Sequence, residues 1–214
     1  MSVALGLAIV DLGRVEYDEA WERQRQLVAD RVAGRIGDTI LLVEHPPTIT
    51  LGRGARREHV LLSDEALAAR NVALREIDRG GDVTYHGPGQ LVGYPIIDLT
   101  ARGRDLHRYL RDLEGCLIAA LDGFAIAAGR IEGLTGVWVG DRKIAAIGVK
   151  VSRWVTSHGF ALNVESDLSG FGLIVPCGLR DKRVTSVSLE LGRPVALDEA
   201  RPVVRRALER TFGG

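Results

Sequence analysis

Two apolar runs, residues 72–77 and 91–99, flank the segment Arg79-Gly80-Gly81-Asp82-Val83-Thr84-Tyr85-His86-Gly87-Pro88-Gly89-Gln90. Four glycines in twelve residues are costly in conformational entropy, so the segment needs a local reason. Either the backbone turns through positive φ, or it comes so close to a ligand that a Cβ would be in the way. A simple hairpin needs only one or two special residues. No Gly-Lys-Ser/Thr follows, as a phosphate loop requires. No helix opens directly after the glycines, as a dinucleotide fingerprint requires. The segment therefore reads as a binding loop between two strands, against the plainer alternative of a long turn with ordinary surface side chains at Arg79 and His86.

The chain has 214 residues and is 46% hydrophobic, enough for a substantial core and a single domain spanning 1–214. Its 28 basic and 28 acidic residues cancel, so no overall basic field points to nucleic acid or an anionic membrane as partner. Locally, Arg53, Arg56 and Arg57 form a basic cluster that is either a docking surface or a solvated loop. Two cysteines, Cys116 and Cys177, offer no disulfide framework. The apolar run 3–10 lacks the preceding positive charges of a signal peptide, and no segment approaches the ~18 apolar residues of a membrane span. A cytoplasmic location is expected.

Residues 3–11 read as a strand, followed by a helix capped by Asp18 and running to Arg35, with Tyr17, Trp21, Val28 and Val32 at helical spacing. Thr39–Glu44 and Thr48–Leu51 read as strands, and Ser63 caps a short helix over 64–70. Asp105 opens a helix with Leu106, Leu110, Leu113, Leu117 and Leu121 as its apolar stripe, beside which Cys116 is a buried, inert thiol. Short strands fill 125–164, with Gly140-Asp141 as a two-residue hairpin turn. Leu197–Phe212 closes the chain as a helix with Val203, Val204, Ala207, Leu208, Thr211 and Phe212 inward. Strands and helices interleave without regular βαβ alternation, which predicts an α+β fold with a mixed sheet.

Three further clusters carry candidate chemistry. Lys143 opens a strand, and by strict alternation it shares a face with Ala145, Ile147, Val149 and Val151. Burial there would lower its pKa and make it a base; the alternative is a hairpin-mouth lysine reaching solvent. Cys177, between Pro176 and Gly178, sits at a turn after an apolar run. It is either a nucleophile in need of an activating group (Lys143, His86 or His158) or a structural thiol. His158-Gly159-Phe160-Ala161-Leu162-Asn163 supplies the remaining parts of a Cys/His/Asn hydrolase. The histidines and cysteines show no zinc spacing, and no metal is assigned.

Several of these motifs occur together and in order: Glu44-His45-Pro46-Pro47-Thr48 with Leu51-Gly52-Arg53, the segment 79–90, and Gly136-Val137-Trp138. After them come Lys143-Ile144-Ala145-Ala146-Ile147-Gly148, 158–163 and Pro176-Cys177-Gly178 with Thr185-Ser186. In these the chain closely resembles the lipoyl(octanoyl) transferases of the biotin/lipoate protein ligase-like superfamily. The resemblance implies a mixed main sheet with a smaller second sheet and flanking helices. It implies transfer of an octanoyl group from octanoyl-acyl carrier protein to the acceptor lysine of lipoyl domains, those of 2-oxoacid dehydrogenase complexes and of the glycine-cleavage H protein. It maps a catalytic dyad onto Cys177 and Lys143. The acyl pocket falls on Arg79, Gly80, Gly81, Asp82, Val83, Thr84, Tyr85, His86, Ala146, Ile147, Gly148, Gly159, Phe160 and Ala161, with His158 and Asn163 in support. No cofactor is implied, because a thioester donor is already activated.

Overall fold

The computed structural model describes residues 6–175 and 183–213. Among them ten strands form two sheets. The main sheet contains β1 (Ala8–Arg14), β2 (Thr39–Glu44), β6 (Gln90–Ile96), β7 (Gly129–Ile131), β8 (Leu134–Val139), β9 (Arg142–Ser152) and β10 (Val155–Asn163), in the order β1-β2-β6-β10-β9-β8-β7. Only β1 and β2 run parallel; the other neighbours are antiparallel. The smaller sheet has β3 (Thr48–Leu51) at its centre, parallel to β4 (Ala73–Glu76) and antiparallel to β5 (Val83–His86). The fold is α+β with a mixed main sheet, as expected.

Both faces of the main sheet are covered, which explains why β2 reads as an unbroken apolar run and not as an alternating one. Ile40 and Leu42 join Leu91, Phe160 and Leu162 against α3 (Leu106–Asp122) and α5 (Leu197–Phe212). Leu41 and Val43 face the other way, with Val92, Tyr94 and Ala161, against α1 (Tyr17–Val32). The smaller sheet packs Ile49, Leu51, Val83 and Tyr85 with Leu67 of α2 (Asp64–Ala68) and Ile174.

The local signals hold at several ends. Ser63 accepts from Ala66 N at 3.3 Å, and Asp105 accepts from Arg108 N at 3.0 Å, each capping its helix. Gly140 sits at φ +59 in the β8–β9 turn. Other expectations are corrected. Glu16, not Asp18, occupies the N-cap of α1; Asp18 lies in the first turn and binds Arg75 at 2.8 Å. That helix ends at Val32, three residues early, and buries Tyr17, Ala20 and Gln24. On α3 the buried face starts at Tyr109, and Leu106 is 37% exposed. Helical periodicity was legible there, but its phase depends on where α5 and the sheet lie.

Candidate active site

The segment 79–90 is only partly a loop. Val83–His86 pairs with β3, Thr48 opposite His86 and Leu51 opposite Val83. This pairing lays the segment beside the α1 face of the main sheet, and a cavity of about 270 Å³ lies between them. From this segment Arg79, Gly81, Asp82, Val83, Thr84 and His86 line it. Gly80 and Tyr85 do not. Gly80 instead donates its N–H to Val149 O at 2.9 Å, and Tyr85 turns into the smaller sheet's core, 5.6 Å from Phe171. By alternation Tyr85 shares a face with Val83, and both pack in the smaller sheet's core, although Val83 also reaches the cavity.

Arg79 is no surface group. Its Nη2 donates to Thr50 O and Thr50 Oγ1, both at 2.9 Å, and only 8% of the residue is exposed. Its stem crosses Gly148, where a Cβ would lie 2.9 Å from Arg79 Cδ. The opposite wall is β9 and β10, with Ala146 paired to Ala161 and Gly148 to Gly159. All of Ala146, Ile147, Gly148, Gly159, Phe160 and Ala161 line the cavity. At Gly159 a Cβ would stand 2.2 Å from Gly93 O and 2.6 Å from Pro95 Cδ. Gly159→Ala is therefore expected to lose on the order of 3 kcal/mol, because the obstructing atom is backbone in a central strand and cannot step aside. A urea unfolding midpoint equal to wild type would refute that.

Lys143 also lines the cavity, and the expectation that it shares a face with Ala145 is corrected. Val137 pairs with Ala145 but Trp138 pairs with Lys143, so two residues of β9 advance for one of β8. The extra residue is Ile144, which is fully buried, and the bulge moves Lys143 to the side of Ala146 and Gly148. Its Nζ lies 4.7 Å from the centre of the Trp138 ring. Cys177 falls outside the described residues. The described residues continue from Arg183, whose carbonyl accepts from Lys143 N at 2.9 Å, while Thr185 N donates to Lys143 O at 2.9 Å. Arg183 and Val184 line the cavity beside Lys143.

Asn163 stays outside the cavity and works in a buried relay. His86 Nδ1 donates to Gln90 Oε1 at 2.8 Å, and Gln90 Nε2 donates to Asn163 Oδ1 at 3.0 Å. Asn163 Nδ2 donates in turn to Thr185 O at 3.0 Å. Each amide has one orientation compatible with its carbonyl neighbours, so the tautomer of His86 follows from the chain of bonds. Burial pushes the His86 pKa down to about 3. His158 lines the cavity but bonds elsewhere: Nε2 donates to Asp78 Oδ1 at 2.8 Å, and Asp78 also pairs with Lys150. Burial lowers the His158 pKa although Asp78 opposes it. His158 and Asn163 thus have separate partners, one on Asp78 and the other on Gln90 and Thr185.

Sequence reasoning missed the aromatic wall. Tyr17 and Tyr94 line the cavity from α1 and β6. His45 stands behind them: its Nδ1 donates to Val15 O at 2.8 Å, so its Nε2 accepts from the Tyr94 hydroxyl at 2.7 Å. Burial lowers the His45 pKa to about 4. Tyr94 lies inside an apolar run and Tyr17 on a helix, and no local pattern distinguishes such tyrosines from core. Trp138, with Gly133 and the first two residues of β8, Leu134 and Thr135, completes the Lys143 end. Of the arginine cluster, Arg57 is bonded to Val60 O, Leu62 O and Asp64, and Arg56 to Glu58. Most of that charge is therefore used within its own loop.

Main sheet, smaller sheet and helices superpose on those of a lipoate-protein ligase A solved with ATP bound, at a TM-score of 0.74 over 98% of this chain and 85% of that one. A biotin protein ligase from Aquifex aeolicus, solved with biotin and ATP, matches at 0.56 over 96% of this chain and 70% of that one. With identities of 16% and 15%, these likenesses define the fold class alone. Sequence goes further. Residues 16–209 match the lipoyl protein ligase A/B catalytic domain. The octanoyltransferase of Chloroflexus aurantiacus is 58% identical over 90% of this chain and 88% of its own length. That of Acidobacterium capsulatum is 51% identical over 97% and 90%. The chain belongs to the octanoyltransferase family, within the lipoyl protein ligase A/B catalytic domains.

Proposed function

We propose that the protein moves an octanoyl group from octanoyl-acyl carrier protein, through an acyl-Cys177 thioester, to the acceptor lysine of lipoyl domains, with Lys143 as the proton acceptor. The observation that carries this reading is one continuous cavity with Lys143 at one end and a wall of small residues, Ala146, Gly148, Gly159 and Ala161, beyond it. Side chains this small leave room for an acyl chain along the β9–β10 pair. Their position on a doubly covered sheet favours exclusion of water, which would otherwise hydrolyse the thioester.

The steps balance without an added reactant. The Cys177 thiolate attacks the carrier thioester carbonyl, the C–S bond to the carrier breaks, and the departing carrier thiolate takes its proton from the Lys143 ammonium, which leaves Lys143 neutral. The neutral amine of the acceptor lysine then attacks acyl-Cys177. Its surplus proton passes to Lys143, the C–S bond to Cys177 breaks, and an amide forms. Exchange of one thioester for another is nearly neutral, and formation of the amide draws the sequence forward.

Intact mass of the protein after incubation with octanoyl-acyl carrier protein tests the reading: one octanoyl group should appear on Cys177 and leave when a lipoyl domain is added. Transfer only in the presence of ATP would instead identify a ligase. Chain-length selection should follow the cavity wall. Ala146→Leu is expected to penalise long acyl donors more than short ones, at ~1–3 kcal/mol per methylene displaced. Equal losses across a series of donors would count against Ala146 as part of the slot.

A further inference from the structure

Glu114 is a charged group that none of these steps uses. It lies in the middle of α3, on the far side of the main sheet from the cavity, and is fully buried. A carboxylate so placed is held only if its charge and lone pairs are met. Its Oε2 accepts from Arg130 Nε at 2.8 Å and pairs with Arg111 Nη1 at 2.8 Å. Its Oε1 accepts from the backbone N–H of Gly136 at 3.1 Å.

Gly136 is the point where this anchor meets the site. It adopts φ +125, and a Cβ there would stand 2.8 Å from Ala145 O and 3.4 Å from Lys143 Cε. The Lys143 stem therefore passes directly over a backbone whose conformation only glycine adopts readily. Two residues on, Trp138 offers its ring to Lys143 Nζ at 4.7 Å and pairs with Lys143 across the strands. Just before it, Gly133, Leu134 and Thr135 line the cavity. This strand pair lies one strand in from the sheet edge, between β10 and the outermost β7.

We infer that Glu114 is a positioning residue for Lys143: by holding the Gly136 N–H from behind the sheet, it fixes the strand over which the lysine stem lies and the ring beside its amine. The inference rests on the proposed role of Lys143. It assigns Glu114 no contact with substrate, and its effect should be far larger in the second half-reaction, because proton transfer depends on the placing of the Lys143 amine more steeply than charge attraction does.

The test separates the half-reactions in the full-length protein. Octanoyl-acyl carrier protein loads the enzyme, intact mass gives the acylated fraction, and the single-turnover rate of acyl-enzyme decay is measured with a lipoyl domain. That rate is counted per acylated molecule, so a smaller folded fraction does not alter it. Glu114→Ala is expected to load normally but to transfer about 10²-fold more slowly, the cost of an ångström-scale misplacement. Glu114→Gln keeps an amide oxygen for the Gly136 N–H and should recover most of the rate. Amine-labelling of Lys143, read against Lys150 and Lys182 as internal standards, should change in Glu114→Ala and much less in Glu114→Gln. If Glu114→Ala does not accumulate, Glu114→Asp carries the same test, since it keeps the charge but is one methylene short of Gly136. Wild-type decay in the alanine or aspartate variant, or equal losses in alanine and glutamine, would overturn the inference. Lys143→Ala distinguishes the two layers. Normal transfer in that variant would sink the base assignment itself, whereas an inactive Lys143→Ala beside a fully active Glu114→Ala would sink the positioning role alone.

Discussion

Lys143→Arg is expected to load octanoyl onto Cys177 and then stall. The substitution keeps a cation beside the Trp138 ring, where Lys143 Nζ lies at 4.7 Å, so the electrostatic help to a thiolate survives. Lowering a thiol pKa from 8.5 to about 7 takes only ~2 kcal/mol, within reach of one neighbouring cation. A guanidinium, however, does not give up its proton near neutral pH and so has no vacancy for the one the acceptor amine must shed. General-base assistance is worth about 10²–10⁴-fold, and transfer should fall by that factor while acyl-enzyme accumulates. Cys177→Ser should fail at the first step. Cys116→Ala should retain both steps: its thiol is buried on α3, and burial raises its pKa to about 11, so it is not a competing nucleophile. Peptide mapping of the octanoyl label decides the matter, and label on Cys116 or normal turnover of Lys143→Arg would refute these roles.

Acid should weaken the fold well before the carboxylates titrate. His45 and His86 are buried as neutral rings with pKa values of about 4 and about 3, against 6.5 for an exposed imidazole. For a depressed histidine the unfolded chain binds the proton first. Stability is thus full above pH 6.5 and falls as the pH drops toward the folded values. Between pH 7 and pH 5 each ring should contribute a loss of about 2 kcal/mol, or about 4 kcal/mol together. His158, also lowered by burial, acts in the same direction. The lowered carboxylates such as Asp18 and Asp78 enter only at more acidic pH, because their unfolded values lie near 3.8. For Asp78 burial acts upward, but the hydrogen bonds from Lys150 and His158 outweigh it. Urea unfolding at the two pH values measures the loss. Equal midpoints at pH 7 and pH 5 would show that the rings are already charged in the folded protein. His45→Gln should remove roughly one ring's share of the slope.

Local patterns in the chain determined a good deal by themselves. Caps at Ser63 and Asp105, the turn at Gly140 and the closing helix Leu197–Phe212 depend on neighbouring residues only, and all are found where their patterns put them. The special character of 79–90 was equally legible, since its glycines mark close approach whatever the partner. Tertiary structure decided what those residues approach. Glycines at 52 and 148 leave room for the Arg79 side chain, and Gly159 abuts the Gly93 carbonyl; all three contacts join segments distant in sequence. Periodicity placed Lys143 on the core face because a bulge inserts one residue without a sequence mark, and that single residue reverses the face. It also gave no hint of His45 behind Tyr94 or of Glu114 behind Gly136, because each pairing comes from the order in which strands and helices stack. Side-chain chemistry was therefore written in the chain, while the direction in which each group points was set by register and packing between remote segments.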